Sequence, residues 1–394
     1  MTASDTSAQE STRTLRLPAL TGVRILAALA VYASHVGPPA GAPEFLNAFF
    51  ISGYSGVTLF FVLSGFVLAI NYLDSLRRPA VGGLYNYFVA RFARVYPLYL
   101  LILFYIVVRR HAFGESIDDW WQNALAVQTW DPSLARAFSF VPPSWSIGVE
   151  FFLYACFPLL IIFLARLTRP RTVLIAAAGT VAAMAALAGG FVVAGLDNLP
   201  AVNPDSAHRW LYRMPLTRLG DFTLGILAAL LYFQTRDRRS IERIGRPLVL
   251  VSILATICLM CWPALIFTAW SWDLAYAVPA TLFIFGLAVA PLSWPAKALS
   301  LPFMILLGEA SYAFYLVHQP AVLFFGGGSW GTIASPTTVV FEALTLGAIL
   351  ALAIGLHVGV ERPARTYIRR ALSWKRKPAP ALVPATPASE PVSP

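Results

Sequence analysis

Ten stretches of about 20 predominantly apolar residues recur along the chain, and no other property of the sequence restricts its fold as strongly. A helix of about 20 residues covers the roughly 30 Å hydrocarbon core of a bilayer. In that core, backbone hydrogen bonds are satisfied only within helices or closed barrels. The sequence therefore predicts an all-α, polytopic transmembrane helix bundle with about ten membrane-spanning helices. The ten windows are 19–37, 55–73, 93–110, 146–165, 172–195, 215–234, 246–263, 274–293, 303–325 and 337–360.

Composition excludes the main soluble alternatives. Apolar residue types make up 58% of the chain and charged types 12%, against roughly 45–50% and roughly 25% in soluble globular domains. The abundance of aromatic residues, 13% of the chain, excludes a largely disordered protein. The net charge of +10 does not indicate nucleic-acid binding, because basic residues on short cytoplasmic loops give the same excess.

The basic residues also predict how the chain lies in the membrane. With both termini in the cytoplasm, 22 of the 29 Lys and Arg residues fall in cytoplasmic segments and six in external ones, as the positive-inside rule requires. We therefore predict a multi-pass protein of the cytoplasmic membrane. It consists of a cytoplasmic N-terminal segment (1–17), a membrane domain (18–370) and a disordered, proline-rich cytoplasmic tail (371–394). The basic start of that tail is expected near the headgroups of membrane lipids.

The first window carries two ionisable residues, Arg24 and His35. Eleven residues of helix bring them to within about 20° of one direction and about 16 Å apart along the axis. One face of this helix therefore presents a cation and, deeper along it, an imidazole. Charges at membrane depth indicate function by default, although a snorkelling arginine and a packed histidine would have the same spacing.

The fourth window begins with a polar segment that includes Ser146 and Glu150. These two residues are one helical turn apart and share a face. An apolar run follows, so Glu150 is expected to point into the bundle or into a wet cavity. Helix capping explains Ser146 equally well, and a structural ion pair is the alternative for Glu150.

The ninth window contains a polar stripe formed by Ser311, Tyr315 and His318. Positions i, i+4 and i+7 lie on one side of a helix, and polar groups in lipid must find partners within the protein. The stripe therefore either lines a pocket or hydrogen-bonds to a neighbouring helix.

A pair of arginines, Arg91 and Arg94, lies at the start of the third window on one helical face. Paired guanidiniums bind phosphate well. The positive-inside rule alone also accounts for basic residues at this end of a span.

Taken in order along the chain, these residues resemble the acyltransferase-3 family of integral membrane acyltransferases, whose members O-acylate bacterial surface sugars and some antibiotic sugars. The resemblance covers approximately residues 17–370. It rests on six motifs in order: Arg24-x10-His35, Phe60 to Phe66, Arg91-x-x-Arg94-x-x-Pro97, Ser144-Trp145-Ser146-Ile147-x-x-Glu150, Ser311-Tyr312-x-x-Tyr315-Leu316-x-His318-x-Pro320 and Glu361-Arg362-Pro363.

The resemblance implies an acyl-CoA-dependent O-acyltransferase in which acyl-CoA is a co-substrate, with no resident cofactor or metal. His35 corresponds to the family's essential histidine and Arg24 to its basic partner. Arg91 and Arg94 correspond to the pair that meets the acyl-CoA phosphates at the cytosolic face, and Glu150 to the motif's acid. The acceptor is expected to be a glycan or a glycoside, and acetyl is the group that the family transfers most often.

Transfer from a thioester to a hydroxyl requires a base, and a histidine with an ordinary pKa of roughly 6.5 suits that task. We hypothesise that His35 deprotonates the acceptor while Glu150 orients the imidazole. Transient acylation of His35 is the alternative. Ser146, Ser311, Tyr315 and His318 are predicted to line the substrate pocket. A secondary transporter, which also combines many helices with polar groups at mid-depth, is the competing function.

Overall fold

A computed structural model describes residues 17–77, 80–327 and 335–374. Within these ranges the chain is helical and contains no strand, which confirms the predicted all-α class. Each of the ten apolar windows is occupied by a helix. The helices are α1 (Pro18–Val36), α2 (Gly56–Leu76), α3 (Val81–Ala112), α4 (Trp145–Leu164), α5 (Pro170–Val193), α6 (Leu219–Thr235), α7 (Arg239–Met260), α8 (Leu274–Val289), α9 (Pro302–Phe325) and α10 (Pro336–Leu356).

Not every helix is equally suited to crossing a bilayer. Judged by length and composition alone, seven helical segments of the described chain are long and apolar enough to cross a bilayer. Helices α6 and α8 are apolar but shorter, with 17 and 16 residues. Helix α9 has 24 residues, and its apolar run is interrupted by Glu309 and by the polar stripe. The architecture is a polytopic membrane bundle.

Short helical segments join the long ones. They include Glu44–Ile51, Ser52–Ser55, Trp120–Ala124, Gln128–Trp130, Leu134–Ala137, Pro142–Ser144, Pro263–Leu265 and Trp294–Leu299, with a π-helical segment at His208–Arg213. A second π-helical segment, His357–Glu361, links α10 to the final helix α11 (Arg362–Leu372). Helix α11 packs against α3.

The most extensive helix pairs are α2 with α6, α7 with α8 and α1 with α9. Glycine makes the closest of these contacts feasible, as small residues do in membrane bundles generally. A Cβ atom at Gly225 of α6 would lie 2.0 Å from the backbone oxygen of Val62 on α2. A Cβ atom at Gly308 of α9 would lie 1.9 Å from the oxygen of Thr21 on α1. Helices α1 and α9, which carry Arg24, His35 and the polar stripe, are thus held backbone to backbone.

Replacing Gly225 with valine is expected to lower the midpoint of thermal unfolding in detergent by roughly 5 °C or more, because the new side chain forces α2 and α6 apart. The matched control is Gly179→Val on α5, where nothing lies within 4 Å of a new Cβ atom. Fluorescence-detected size-exclusion chromatography after heating measures both variants. Equal midpoints for the two would contradict the close contact.

The two predicted terminal regions are described only in part. Residues 1–16 and 375–394 lie outside the described ranges, so the predictions for the N-terminal segment and for most of the tail stay predictions. The first residues of the predicted tail continue α11 to Leu372. Beyond it, the backbone nitrogen of Trp374 donates to Asn86 Oδ1 on α3 at 2.6 Å, so the chain is packed at least as far as this tryptophan.

Candidate active site

Two cavities adjoin the face of α1 that carries Arg24 and His35, one near each end. The arginine cavity has a volume of about 60 Å³ and is lined by Arg24, Arg94, Ser146, Glu150, Ser311 and Tyr315, together with apolar residues. The histidine cavity has a volume of about 180 Å³ and is lined by His35, Tyr54, Trp145, His208, Trp272 and Gln319, together with further aromatic residues. The predicted separation of cation and imidazole along one helix thus places them in different cavities.

The arginine cavity brings together two guanidiniums from different helices. Arg24 comes from α1 and Arg94 from α3, and both line the cavity wall. Arg24 makes no hydrogen bond or ion pair with any residue that the structure describes. It experiences repulsion from Arg94 and attraction from Glu150. Two guanidiniums with unused donors in a concave site form an arrangement that binds phosphate groups.

Glu150 lines the arginine cavity and does not approach His35. Its Oε1 accepts a hydrogen bond from the hydroxyl of Tyr154, one turn along α4. Arg91, the other member of the predicted arginine pair, stacks on the Tyr154 ring at 5.7 Å and on the Tyr72 ring at 5.4 Å. It also donates to the Tyr72 hydroxyl at 3.2 Å. Arg91 therefore lies behind Glu150 rather than on the cavity wall.

His35 is paired with His318 of α9. His318 Nε2 is 3.3 Å from His35 Nδ1, and the ring centroids are 5.0 Å apart. His35 Nδ1 also lies 2.9 Å from the Val31 oxygen, and His318 Nδ1 lies 2.7 Å from the Tyr315 oxygen. The neighbour expected from sequence for this imidazole was Glu150, whereas the neighbour observed is a second imidazole.

The carbonyl partners assign the tautomers of both rings. A carbonyl oxygen only accepts hydrogen bonds, so each Nδ1 carries the proton in the neutral form and each Nε2 is unprotonated. The lone pair of His318 Nε2 consequently faces the Nδ1–H group of His35. The remaining nitrogen of His35, Nε2, is free to accept a proton in the histidine cavity. The Val31 carbonyl and His318 thus orient the imidazole, a task that the sequence hypothesis gave to Glu150.

Two members of the polar stripe of α9, Ser311 and Tyr315, line the cavities, whereas His318 contacts His35 and lines neither cavity. Ser311 lines the arginine cavity, and its hydroxyl donates to the Gly308 oxygen at 2.8 Å. Tyr315 lines both cavities, as does Val57 of α2. The hydroxyls of Tyr315 and Ser146 are 2.9 Å apart. Tyr315, fixed by Ser146, therefore forms part of the wall that the two cavities share.

Aromatic side chains from four separate segments form the walls of the histidine cavity. The Trp272 ring lies 5.1 Å from Tyr54, 5.0 Å from Tyr212 and 4.9 Å from His208, measured between centroids. Trp145 lies 4.7 Å from Tyr212. Apolar walls with a few polar groups are typical of ligand pockets. No local sequence pattern indicated a role for His208, Tyr212 or Trp272, because the cavity forms only where distant loops meet.

Two polar atoms in the histidine cavity have no hydrogen-bond partner among the described residues. They are Gln319 Oε1 and His208 Nδ1, both shielded from solvent. Burial, with a smaller contribution from nearby Arg213, lowers the pKa of His208 to about 4. The imidazole is consequently neutral near pH 7. Buried polar atoms of this kind are costly unless a partner reaches them, so they are available to the hydroxyl groups of a ligand, which both donate and accept hydrogen bonds.

A buried ion cluster supports the Trp272 wall. Arg218 forms an ion pair with Asp221 at 2.8 Å and approaches Asp273 at 4.0 Å. It also donates to the Trp272 oxygen at 2.9 Å and to Thr58 Oγ1 at 2.7 Å. The pair could have been predicted from sequence, because Asp221 lies inside an apolar window and Arg218 precedes it by three residues, on the same helical face.

The chain matches the acyltransferase domain family over residues 17–358, which is most of its length. The chain is a member of this family. That membership confirms the resemblance inferred from the six motifs, and it shows that the protein is an enzyme that transfers acyl groups.

Known relatives agree with this assignment. The acyltransferase MdmB of Streptomyces mycarofaciens is 32% identical over 396 residues, covering 95% of this chain and 97% of the relative. A putative O-acetyltransferase of Staphylococcus aureus strain MRSA252 is 24% identical over 93% of this chain and 60% of its own length. The O-acetyltransferase OatA of S. aureus strain NCTC 8325 is 23% identical over 78% of this chain and 51% of its own length. Solved structures provide no significant match.

Proposed function

We propose that this acyltransferase moves an acyl group, acetyl in the first instance, from acyl-CoA in the arginine cavity to a hydroxyl of a carbohydrate-containing acceptor in the histidine cavity. The observation that carries the proposal is the placement of a cationic cavity and an imidazole-bearing cavity along one helix, with Tyr315 in their common wall. Two relatives named O-acetyltransferases support acetyl as the group.

The donor half of the proposal rests on charge. The nucleotide end of acyl-CoA carries several phosphate charges, and Arg24 and Arg94 provide guanidinium donors for them. The narrow pantetheine arm then runs along α1 towards Tyr315, which brings the thioester to the junction of the two cavities. In this arrangement Arg91 acts indirectly, because it supports Tyr154 and Glu150 rather than touching the donor.

The chemistry follows from the tautomers of the histidine pair. His35 Nε2 takes the proton of the acceptor hydroxyl, and the oxygen attacks the thioester carbonyl. The carbon–sulfur bond then breaks, and the leaving CoA sulfur receives the proton from the imidazolium. While His35 is charged, its Nδ1–H group donates more strongly to the lone pair of His318 Nε2, so His318 stabilises the charged intermediate.

The acceptor half rests on the composition of the histidine cavity. A sugar ring presents an apolar C–H face and a periphery of hydroxyl groups. The Trp272 and Tyr54 rings offer aromatic surface for that face, and the unpartnered polar atoms of Gln319 and His208 suit hydroxyl groups, which both donate and accept hydrogen bonds. These features favour a glycan or a glycoside as the acceptor.

The proposed orientation places the arginine cavity towards the cytosol, where acyl-CoA is found. The positive-inside count supports cytoplasmic termini and a location in the cytoplasmic membrane. The basic helix α11 packs on α3, the helix that carries Arg94. The histidine cavity then lies towards the outer leaflet, so the acceptor enters from the side opposite the donor.

Purified protein in lipid nanodiscs, incubated with isotope-labelled acetyl-CoA and a panel of glycosides, tests the proposal. We expect release of free CoA together with a labelled acetyl ester on one glycoside class, detected by mass spectrometry. Solute uptake by proteoliposomes without consumption of acetyl-CoA would instead favour a secondary transporter.

A further inference from the structure

The motif Glu361-Arg362-Pro363 has no part in the transfer chemistry, yet its first residue is among the most buried carboxylates of the described chain. Glu361 ends the π-helical segment His357–Glu361, and its side chain is 1% exposed. This segment packs against α3 and α9. Single π-helical turns within α-helices occur frequently at functional sites, so the position of this carboxylate calls for a physical explanation.

Glu361 contacts His357 through one carboxylate oxygen and faces Arg94 of the arginine cavity with the other. Its Oε2 accepts a hydrogen bond from His357 Nδ1 at 2.9 Å. Its Oε1 has no hydrogen-bond partner among the described residues and lies 3.7 Å from Arg94 Nη1. Because His357 fixes one oxygen, the other is directed towards the guanidinium of Arg94.

The negative charge of Glu361 affects how the two arginines of the cavity are held. Arg94 and Arg24 repel each other in the arginine cavity, and Glu361 is one of the carboxylates that attract Arg24. The Arg94 side chain is 16% exposed. Without an acidic neighbour, repulsion from Arg24 would favour a rotamer that moves the Arg94 guanidinium out of the cavity. Attraction at this distance is strong in a buried setting and weak on a wet surface.

We propose that Glu361, held by His357, is a positioning residue that keeps the guanidinium of Arg94 in the arginine cavity, ready for an anionic phosphate of the donor. The inference rests on the proposed function. The 3.7 Å separation is longer than a hydrogen bond. The carboxylate therefore holds the cation by charge while leaving its N–H groups available to phosphate oxygens.

Kinetics of Glu361→Gln test this role, since glutamine keeps the size of the side chain and removes its charge. We expect the KM for acetyl-CoA to rise roughly 10-fold, with kcat changed less than about threefold, since Glu361 acts on the donor only through Arg94. The matched control is Glu242→Gln on α7, whose exposed partner Arg246 lies 3.8 Å away. Its KM is expected to equal that of the wild type. An unchanged KM in Glu361→Gln overturns the proposal.

A double-mutant cycle separates positioning from a general structural effect. If Glu361 acts through Arg94, adding Glu361→Gln to Arg94→Gln raises the KM no further than Arg94→Gln alone. Independent, multiplied effects overturn the positioning role. Should Glu361→Gln fail to accumulate, His357→Gln leaves the carboxylate in place but loosens it. A smaller rise in KM is then expected, and an unchanged KM contradicts the proposal.

The same measurements keep this inference distinct from the proposed function. Acetyl transfer by the wild-type protein tests the function itself, and only the variants test Glu361. Absence of transfer in the wild type rejects the function. Normal transfer in the wild type together with a wild-type KM in the variants rejects only the positioning role.

Discussion

Replacing His35 with alanine is expected to reduce kcat for acetyl transfer by roughly 10²–10⁴-fold, the usual contribution of a general base. The side chain is exposed in the histidine cavity at the end of α1, so its removal leaves the helix packing intact. Normal yield and a normal elution volume should therefore accompany the loss of activity. Initial rates of CoA release with a saturating acceptor give the measurement.

The matched control for this variant is His111→Ala, an exposed histidine in the last turn of α3. It is expected to retain wild-type activity. Full activity in His35→Ala would reject His35 as the base. His318→Ala is expected to fall between the two, losing roughly 10- to 100-fold, since it removes only the acceptor that stabilises the imidazolium.

Pre-steady-state kinetics separate the two roles open to His35. A general base releases CoA only when an acceptor is present. A transient acyl carrier releases a burst of CoA, equal to the amount of enzyme, in the absence of acceptor. The proposed transfer uses His35 as a general base, so we expect no burst.

The second large effect is expected from the arginine cavity. Replacing Arg24 and Arg94 together with glutamine should raise the KM for acetyl-CoA by roughly 10- to 100-fold with little change in kcat, because charge-assisted hydrogen bonds to phosphate are lost while the histidine pair is untouched. The dependence of the KM on salt concentration should also weaken, since fewer charges remain to be screened.

Arg171→Gln, an exposed arginine at the start of α5, is the control for charge loss and is expected to behave like the wild type. Arg91→Gln is an informative further variant. A KM rise as large as that of Arg94→Gln would mean that Arg91 meets the phosphates directly. The structure places Arg91 over Tyr72 and Tyr154, so we expect the smaller effect. An unchanged KM in the Arg24 and Arg94 double variant would remove the donor role from this cavity.

Local patterns in the sequence anticipated several features of the site. Apolar windows located all ten helices, because hydropathy and helix length reflect the solvent that each segment meets. Helical spacing placed Ser146 and Glu150 on one cavity wall, since residues one turn apart share a face. It also placed Arg24 and His35 along one side of α1, although these two residues open into separate cavities.

Contacts between helices that are distant in sequence could not be predicted from helical spacing. The partner of His35 is His318, 283 residues away, and the spacing within a single helix says nothing about which residue of another helix faces it. The close approach of α1 and α9 at Gly308 sets that pairing.

The sequence by itself determined the apolar character of the bundle, the placement of its ten long helices and the face of α1 that carries charge, because these properties depend on residues close together in the chain. Only the tertiary structure decided which polar groups meet. His208, Trp272 and Tyr54 reach the histidine cavity from three separate segments, and Glu361 reaches Arg94 from a different helix. Such meetings depend on how whole helices pack, and that packing is set by many apolar and backbone contacts acting together.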